Sequence, residues 1–198
     1  MNIFKVLANG YGNISETNVS SFLAYLLDPK ADHGLRYEFL KKFTSSVLAE
    51  EIFLLEKYEY EIFLEQSFRE AQQARHKVDI VIVCYSYDNG KLNESYVKEF
   101  LNSKKQVHKI FLIENKTNKG SLTHGQLIGQ LNSVKAELED DLHEKIYSIF
   151  ITPKNSKIIE EFANSNLKKG SHIYWKSLEK MCIRDSLNIC LTNAQKLY

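Results

Sequence analysis

The segment that most constrains the fold of this chain is residues 110–116, which read IFLIENK. Four apolar residues run directly into Glu114, Asn115 and Lys116, a pattern typical of a buried β-strand that ends in polar residues. Because side chains alternate along a strand, Glu114 and Lys116 are expected on one side of the sheet and Asn115 on the other. The sequence therefore predicts a carboxylate and an ammonium side by side at the end of a central strand.

A second apolar run, residues 78–85, reads VDIVIVCY and predicts another central strand. Asp79 is the only charged residue inside this run. An ionised carboxylate in a buried strand is unfavourable unless a cation, a metal or solvent compensates its charge. On this pattern alone, a structural salt bridge and a functional site are both open interpretations of Asp79.

The remaining hydrophobic patterns predict the order helix, helix, strand, strand, strand, helix, strand, helix, strand. The first helix follows Ser15 or Thr17 as N-cap and stops at Pro29. The polar segment 91–109 has no clear period and is interpreted as a loop or a short helix. This order implies an α/β fold with one central mixed sheet flanked by helices, in which the helix after the third strand forms a crossover connection.

The composition is that of a single globular domain. At 198 residues with 43% hydrophobic content, the chain is long enough to bury a core of its own. A formal net charge of +1 argues against a protein that coats nucleic acid through bulk charge, although it is compatible with a local basic cleft.

Cysteine usage and hydropathy indicate the cellular compartment in which the protein is expected. Cys84, Cys182 and Cys190 are odd in number and show no paired spacing, which indicates a reducing compartment and argues against a structural zinc site. The sequence has neither an apolar run of ~18 residues nor a charged-then-apolar leader. We therefore expect no transmembrane helix and no signal peptide, and predict a cytoplasmic protein.

The last residues of the chain differ in character from the domain that precedes them. Residues 181–186 read MCIRDS, which resembles the translation of a transposon end used in sequencing-library preparation. We therefore interpret residues 1–180 as the domain, and residues 181–198 as a doubtful tail that is a sequencing artefact or a truncation scar.

Asp79, Glu114 and Lys116 are expected to meet if the two central strands are neighbours. Two carboxylates at one point form a hard, oxygen-rich site of the kind that Mg²⁺ prefers, with water and phosphate oxygen as the remaining ligands. Lys116 would add positive charge where a phosphoryl transition state gathers negative charge, or would orient the attacking water. A lysine held against two carboxylates is expected to stay protonated unless desolvation dominates.

This arrangement, a lone Asp in one strand and Glu-x-Lys in the next, resembles the PD-(D/E)XK nuclease superfamily. The resemblance covers residues 14 to about 180 and is closest to a bacterial subgroup. Its motifs in this chain are a first helix that reads SETNVSSFLAYLLDPKADHGL, the strand FLIENK, a Gln-Leu pair that opens the next helix, and a strand that reads IFITP. The resemblance implies a restriction-endonuclease-like core.

The resemblance also implies roles for individual residues. Asp79 and Glu114 match the metal ligands of the superfamily, and Lys116 matches its catalytic lysine. Glu16 matches an acidic residue on the first core helix that helps to hold the metal, although helix capping also accounts for a carboxylate at this position. Gln126 matches a position that supports the site or contacts nucleic acid. The implied cofactor is Mg²⁺, with Mn²⁺ as a substitute.

Three positions depart from the pattern or stay open. Val78 stands where the superfamily has a proline before Asp79, a common relaxation. Gln130 stands one turn after Gln126, where the subgroup often has a tyrosine, so its role is open. Glu65 is interpreted as a solvated strand residue rather than an additional member of the site.

The function implied is metal-dependent hydrolysis of phosphodiester bonds, most directly in DNA, in prokaryotic restriction, phage defence or mobile-element biology. The alternative is a catalytically inactive nuclease-fold module that binds nucleic acid or a protein partner. Many nucleases of this fold act as dimers, so a homodimer is an open expectation. Nucleic-acid binding of moderate, salt-dependent affinity is expected. The candidate basic residues are Arg69, Arg75, Lys77, Lys104, Lys105, Lys109 and Lys119.

Overall fold

The structure is a computed structural model of the chain. It describes residues 15–48, 58–69, 75–86, 97–101, 106–117, 125–153 and 167–175, together with residues 159, 160, 162, 163, 165 and 177. The tail at 181–198 lies outside the described residues, so its interpretation stays a prediction.

A five-stranded mixed sheet forms the centre of the fold, with its strands in the spatial order β1-β2-β3-β4-β5. The strands are β1 Glu59–Arg69, β2 Arg75–Ser86, β3 Gln106–Asn115, β4 Ile146–Thr152 and β5 Gly170–Tyr174. The pairs β1–β2 and β2–β3 are antiparallel, and the pairs β3–β4 and β4–β5 are parallel. The predicted mixed sheet is therefore confirmed.

Helices cover both faces of this sheet. They are α1 Glu16–Leu27, α2 Glu38–Val47, α3 Val97–Leu101, α4 Gln126–Glu137 and α5 Asp140–His143. Helix α4 lies in the connection between the parallel strands β3 and β4, which is the crossover that the sequence predicts. None of the helices in the described ranges is long and apolar enough to cross a bilayer.

The two apolar runs are uninterrupted because β2 and β3 are buried on both faces. Ile80 and Ile82 of β2 pack in one core with α1 and α2. Val81 and Val83 pack in a second core with α3 and α4. A strand buried on both faces reads as continuously hydrophobic rather than alternating, which explains why these two strands are recognisable in the sequence.

Helix α1 begins and ends as its sequence predicts. Ser15 is the N-cap, and its side chain and that of Asn18 form a reciprocal capping box. The helix ends at Leu27, two residues before Pro29. A proline disfavours the helical conformation of the residue before it, which accounts for the end of α1. The cap fixes Glu16 as the first helical residue.

The structure describes residues 97–101 and 106–109 of the segment 91–109, for which the sequence predicts a loop or a short helix. Helix α3 lies inside it at Val97–Leu101, and β3 begins at Gln106 rather than at residue 110. Phe100 is buried in the second core, which anchors α3 through tertiary contacts that local periodicity does not reveal. Strand β2 likewise begins early, at Arg75, because polar residues there pair with the end of β1.

Candidate active site

Three of the predicted site residues meet where β2 and β3 run side by side. The register pairs Ile80 with Ile113, so Asp79 lies level with Glu114 on the neighbouring strand. The backbone N–H of Asn115 donates to Asp79 Oδ2 at 2.8 Å. Lys116 Nζ lies 2.8 Å from Glu114 Oε1. The structure therefore brings a carboxylate from each strand together with the ammonium that follows β3.

Glu16 reaches the same place from the start of α1. Its Oε2 lies 3.6 Å from Lys116 Nζ, and its Oε1 accepts the backbone N–H of Thr117 at 3.1 Å. Glu16 is also in the first helical turn, where the helix dipole favours a carboxylate. Glu16 therefore both stabilises the N-terminus of α1 and contacts the candidate site.

Two glutamines of α4 hold the carboxylate of Glu114. Gln126 Nε2 donates to Glu114 Oε1 at 2.6 Å, and Gln130 Nε2 donates to Glu114 Oε2 at 2.6 Å. The two residues are four apart on one helix and therefore face the same direction. Gln130 is the position that the sequence pattern leaves open. Its spacing from Gln126 was the signal that could have placed it beside Glu114.

Hydrogen bonds also hold the end of β3 on the opposite face of the sheet. Asn115 is fully buried, and its Nδ2 donates to Ser20 Oγ of α1 at 3.0 Å. Trp175 Nε1 donates to the backbone carbonyl of Lys116 at 3.0 Å. The sequence pattern does not single out Ser20 or Trp175, because their role depends on contacts across more than 50 residues of chain. These bonds fix the backbone from which Glu114 and Lys116 project.

The electrostatics of the site are dominated by burial and by the proximity of like charges. Burial and the neighbouring Glu114 carboxylate raise the pKa of Asp79 to about 7, against the opposing effects of the Asn115 N–H and Lys116. For Lys116, burial disfavours the charged form, but the attraction of Glu114, Glu16 and Asp79 outweighs it and raises the pKa. Lys116 is therefore an ammonium at neutral pH, as expected from its two carboxylate neighbours.

The donor set is compatible with Mg²⁺. Within the described ranges, no three side chains of His, Cys, Asp or Glu gather into a ready-made metal site. Mg²⁺ does not need such a cage, because it usually binds through one or two carboxylates and keeps several waters. Asp79 and Glu114 supply two carboxylates, and the charge of Glu114 adds to burial in raising the pKa of Asp79. A divalent cation between them would neutralise their mutual repulsion.

Glu65 lies next to this site on β1, and its environment is not that of a simple solvated residue. The β1–β2 ladder pairs Leu64 with Ile80 and Gln66 with Val78, which leaves Glu65 level with Asp79. Glu65 has a positive φ of 55° and forms an ion pair with Lys77. Its charge contributes, after burial and Glu114, to the raised pKa of Asp79.

Four of the candidate basic residues, Arg69, Arg75, Lys77 and Lys109, lie in the described part of the chain. Lys104, Lys105 and Lys119 lie outside the described residues. Among the others, Lys77 is paired with Glu65, and Lys109 Nζ lies 5.1 Å from the ring centre of Tyr147. Exposed Arg69 and Arg75 oppose each other at one end of the β1–β2 pair.

One comparison with known proteins gives a match over most of the chain. The sequence model of the PD-(D/E)XK nuclease superfamily matches residues 1–193. No curated protein and no solved structure matches the chain.

Proposed function

Because the chain belongs to the PD-(D/E)XK nuclease superfamily, we propose that it is a metal-dependent nuclease that hydrolyses phosphodiester bonds, most directly those of DNA. The observation that carries this proposal is the convergence of Asp79, Glu114 and Lys116 at one end of the sheet. A buried strand would be more stable without Asp79, so its presence beside a second carboxylate favours a site that uses the charge.

In this proposal Asp79 and Glu114 hold Mg²⁺, and Mn²⁺ substitutes for it. Mg²⁺ bound there would supply positive charge to the scissile phosphate and would acidify water beside it. Glu16 adds a third carboxylate at the edge of the site, 3.6 Å from Lys116 Nζ. It would hold the metal through water or orient Lys116.

Lys116 acts as a fixed positive charge rather than as a base. Its raised pKa keeps it protonated at neutral pH, so it cannot accept a proton from water in its resting state. An ammonium placed beside Glu114 would instead stabilise the negative charge that develops on the phosphate, or orient the attacking water. Glu114 holds the ammonium in place through the contact at 2.8 Å.

Gln126 supports the same carboxylate. Its amide N–H bonds to Glu114 Oε1, the oxygen that also contacts Lys116. A neutral donor holds the carboxylate without adding a charge that would compete with the cation. We therefore assign Gln126 to the site as a residue that orients Glu114.

The biological setting that we propose is DNA cleavage in prokaryotic restriction or defence, in the cytoplasm. The support for this setting is the similarity of the first helix and of β3 to the bacterial subgroup. Arg69 and Arg75 are candidates for contact with the phosphate backbone, because both are exposed and oppose each other across β1 and β2.

The proposal is tested by cleavage of supercoiled, linear and single-stranded DNA with Mg²⁺, with Mn²⁺ and with a chelator. We expect metal-dependent cutting by the full chain and a loss of at least about 100-fold in the variants Asp79→Asn and Lys116→Met. Lys168→Met, which removes an exposed lysine outside the site, is the matched control and should cut normally.

The outcomes separate the two functions. Cutting that survives both site substitutions would show that the assigned residues do not form the catalytic site. An absence of cutting together with an absence of metal binding by calorimetry would favour a non-catalytic nuclease-fold module that binds nucleic acid or a protein partner.

A further inference from the structure

Gln130 occupies a position between the two strands that carry the candidate metal ligands. Its side chain projects from α4 and is 5% exposed. The Nε2 atom donates to Glu114 Oε2 at 2.6 Å and to the backbone carbonyl of Lys77 at 2.7 Å. Lys77 lies on β2, two residues before Asp79. A single amide group therefore links the carboxylate on β3 to the backbone beside the carboxylate on β2.

The orientation of this amide is fixed by the chemistry of its partners. A carboxylate and a carbonyl are both hydrogen-bond acceptors, so only the NH₂ end of the glutamine can face them. The NH₂ group has two hydrogens, and each of its two partners takes one. The amide donor capacity is therefore fully used inside a buried site, where loss of a hydrogen bond is costly.

The two oxygens of Glu114 are not equivalent. Oε1 accepts from both Gln126 and Lys116, which accounts for its two lone pairs. Oε2 accepts from Gln130 alone among the described residues. Within the described part of the chain, Oε2 is thus the oxygen with acceptor capacity left for a cation, and Gln130 is the residue that sets its direction.

We propose that Gln130 is a positioning residue for the metal site: it aims Glu114 Oε2 and fixes the distance between the carboxylates of β2 and β3. This inference rests on the proposed function, because it assigns Gln130 a part in metal binding. Gln126 cannot replace it, since Gln126 bonds to the other oxygen of Glu114. Gln130 need not touch the cation or the substrate to act in this way.

The test is Mn²⁺ binding by calorimetry, without DNA, to the full chain and to its Gln130→Met variant. Methionine is similar in length but donates no hydrogen bond. We expect the dissociation constant for Mn²⁺ to rise roughly 10- to 100-fold, which is typical when a residue that supports a metal ligand is lost. Cleavage at saturating Mn²⁺ should recover to within a few-fold, because the variant keeps every proposed ligand and Lys116.

Ser133→Ala is the matched control. Ser133 is on the same helix and is fully buried, but its Oγ has no hydrogen-bond partner among the described residues. This variant should bind Mn²⁺ as the unaltered chain does. If Gln130→Met also binds Mn²⁺ with unchanged affinity, the positioning role is wrong while the proposed nuclease stands. If the unaltered chain binds no Mn²⁺, the proposed metal site fails and this inference fails with it.

A measurement on the unaltered chain covers the case in which Gln130→Met does not fold. The side-chain NH₂ signals of Gln130 can be followed by NMR during a titration with Mg²⁺, which is diamagnetic. Because the amide is bonded to the oxygen that would bind the cation, we expect these signals to shift with the same midpoint as a calorimetric titration with Mg²⁺. Signals that stay in place at saturating Mg²⁺ would overturn the inference.

Discussion

The protonation of Asp79 links the candidate site to the stability of the whole protein. Its pKa is raised from an ordinary value of 3.8 to about 7, first by burial and then by the charge of Glu114. Between these two values the folded protein keeps a proton that the unfolded chain has lost. The metal-free protein should therefore lose stability as pH rises from about 4 to 7, with a slope of at most about 1.4 kcal/mol per pH unit for this group.

Asp79→Asn should remove this contribution. Asparagine has nearly the same shape but cannot titrate, so the free energy of unfolding of the variant should be flatter between pH 5 and pH 7. Urea unfolding in the presence of a chelator, at several pH values, measures both curves. An equal pH dependence in the two proteins would mean that Asp79 does not carry the raised pKa.

Lys116 balances the charge of its neighbours. Its side chain is 11% exposed and contacts Glu114 at 2.8 Å, while Glu16 lies 3.6 Å away. Lys116→Met should destabilise the metal-free protein by about 3 kcal/mol, because breaking a buried pair leaves a charge without compensation. Lys98→Met is the control variant, because Lys98 is exposed in its ion pair with Glu137. Loss of this pair should lower the free energy of unfolding by less than about 1 kcal/mol. Equal losses in the two variants, measured by urea unfolding, would contradict this account of Lys116.

At the level of the strands, the sheet is irregular where Asp79 enters the site. Val78 and Val81 both pack in the core beneath α4, whereas Ile80 packs in the core beneath α1. Strict alternation of side chains along a strand cannot place Val78 and Val81 on the same face of the sheet. The alternation of β2 is therefore interrupted near Asp79. Glu65, level with Asp79 on β1, has the positive φ of 55°. Local irregularities of this kind re-aim side chains beside functional sites.

Glycine at position 65 should be better tolerated than alanine. A positive φ costs an L-residue roughly 1 kcal/mol or more, whereas glycine adopts it freely. Glu65→Gly and Glu65→Ala both remove the ion pair with Lys77, so the difference between them isolates the backbone. We expect Glu65→Gly to be more stable by about 1 kcal/mol in urea unfolding. The opposite order, which is usual in regular strands, would show that the strain at Glu65 is absent.

The sequence predicts those parts of the fold that burial alone determines. Strands β2 and β3 are recognisable because each is covered on both faces, and the start of α1 is recognisable from the Ser15 cap. The bounds of α3, for which the sequence leaves a loop or a short helix open, and the interrupted alternation near Asp79 are not recognisable. Both depend on packing between elements that are distant in sequence. The same division holds in the candidate site. Alternation predicts Glu114 beside Lys116, and the spacing of Gln126 and Gln130 predicts that both face one side of α4. The contact between Gln130 and Glu114 depends on how α4 packs on the sheet.

The candidate site joins residues from four elements that are spread between positions 16 and 130. Glu16 comes from α1, Asp79 from β2, Glu114 from β3 and Gln130 from α4. These groups are far apart in the unfolded chain, so the unfolded state should have little affinity for Mg²⁺. Metal binding should therefore be coupled to global folding rather than to the order of a single loop.

Mg²⁺ should accordingly raise the free energy of unfolding of the entire protein. At a free concentration of 100 times its dissociation constant, the expected gain is about 2.7 kcal/mol. At one fixed concentration of Mg²⁺ the gain should be larger at pH 8 than at pH 6, because a proton on Asp79 competes with the cation below pH about 7 and raises the dissociation constant. Urea unfolding with Mg²⁺ and with a chelator measures this gain in the free energy of unfolding. The variant Glu114→Gln keeps the shape of the side chain but removes its charge, so it should lose most of the gain. A gain of equal size in Glu114→Gln would place the bound cation elsewhere on the protein, since only the site between β2 and β3 depends on that carboxylate.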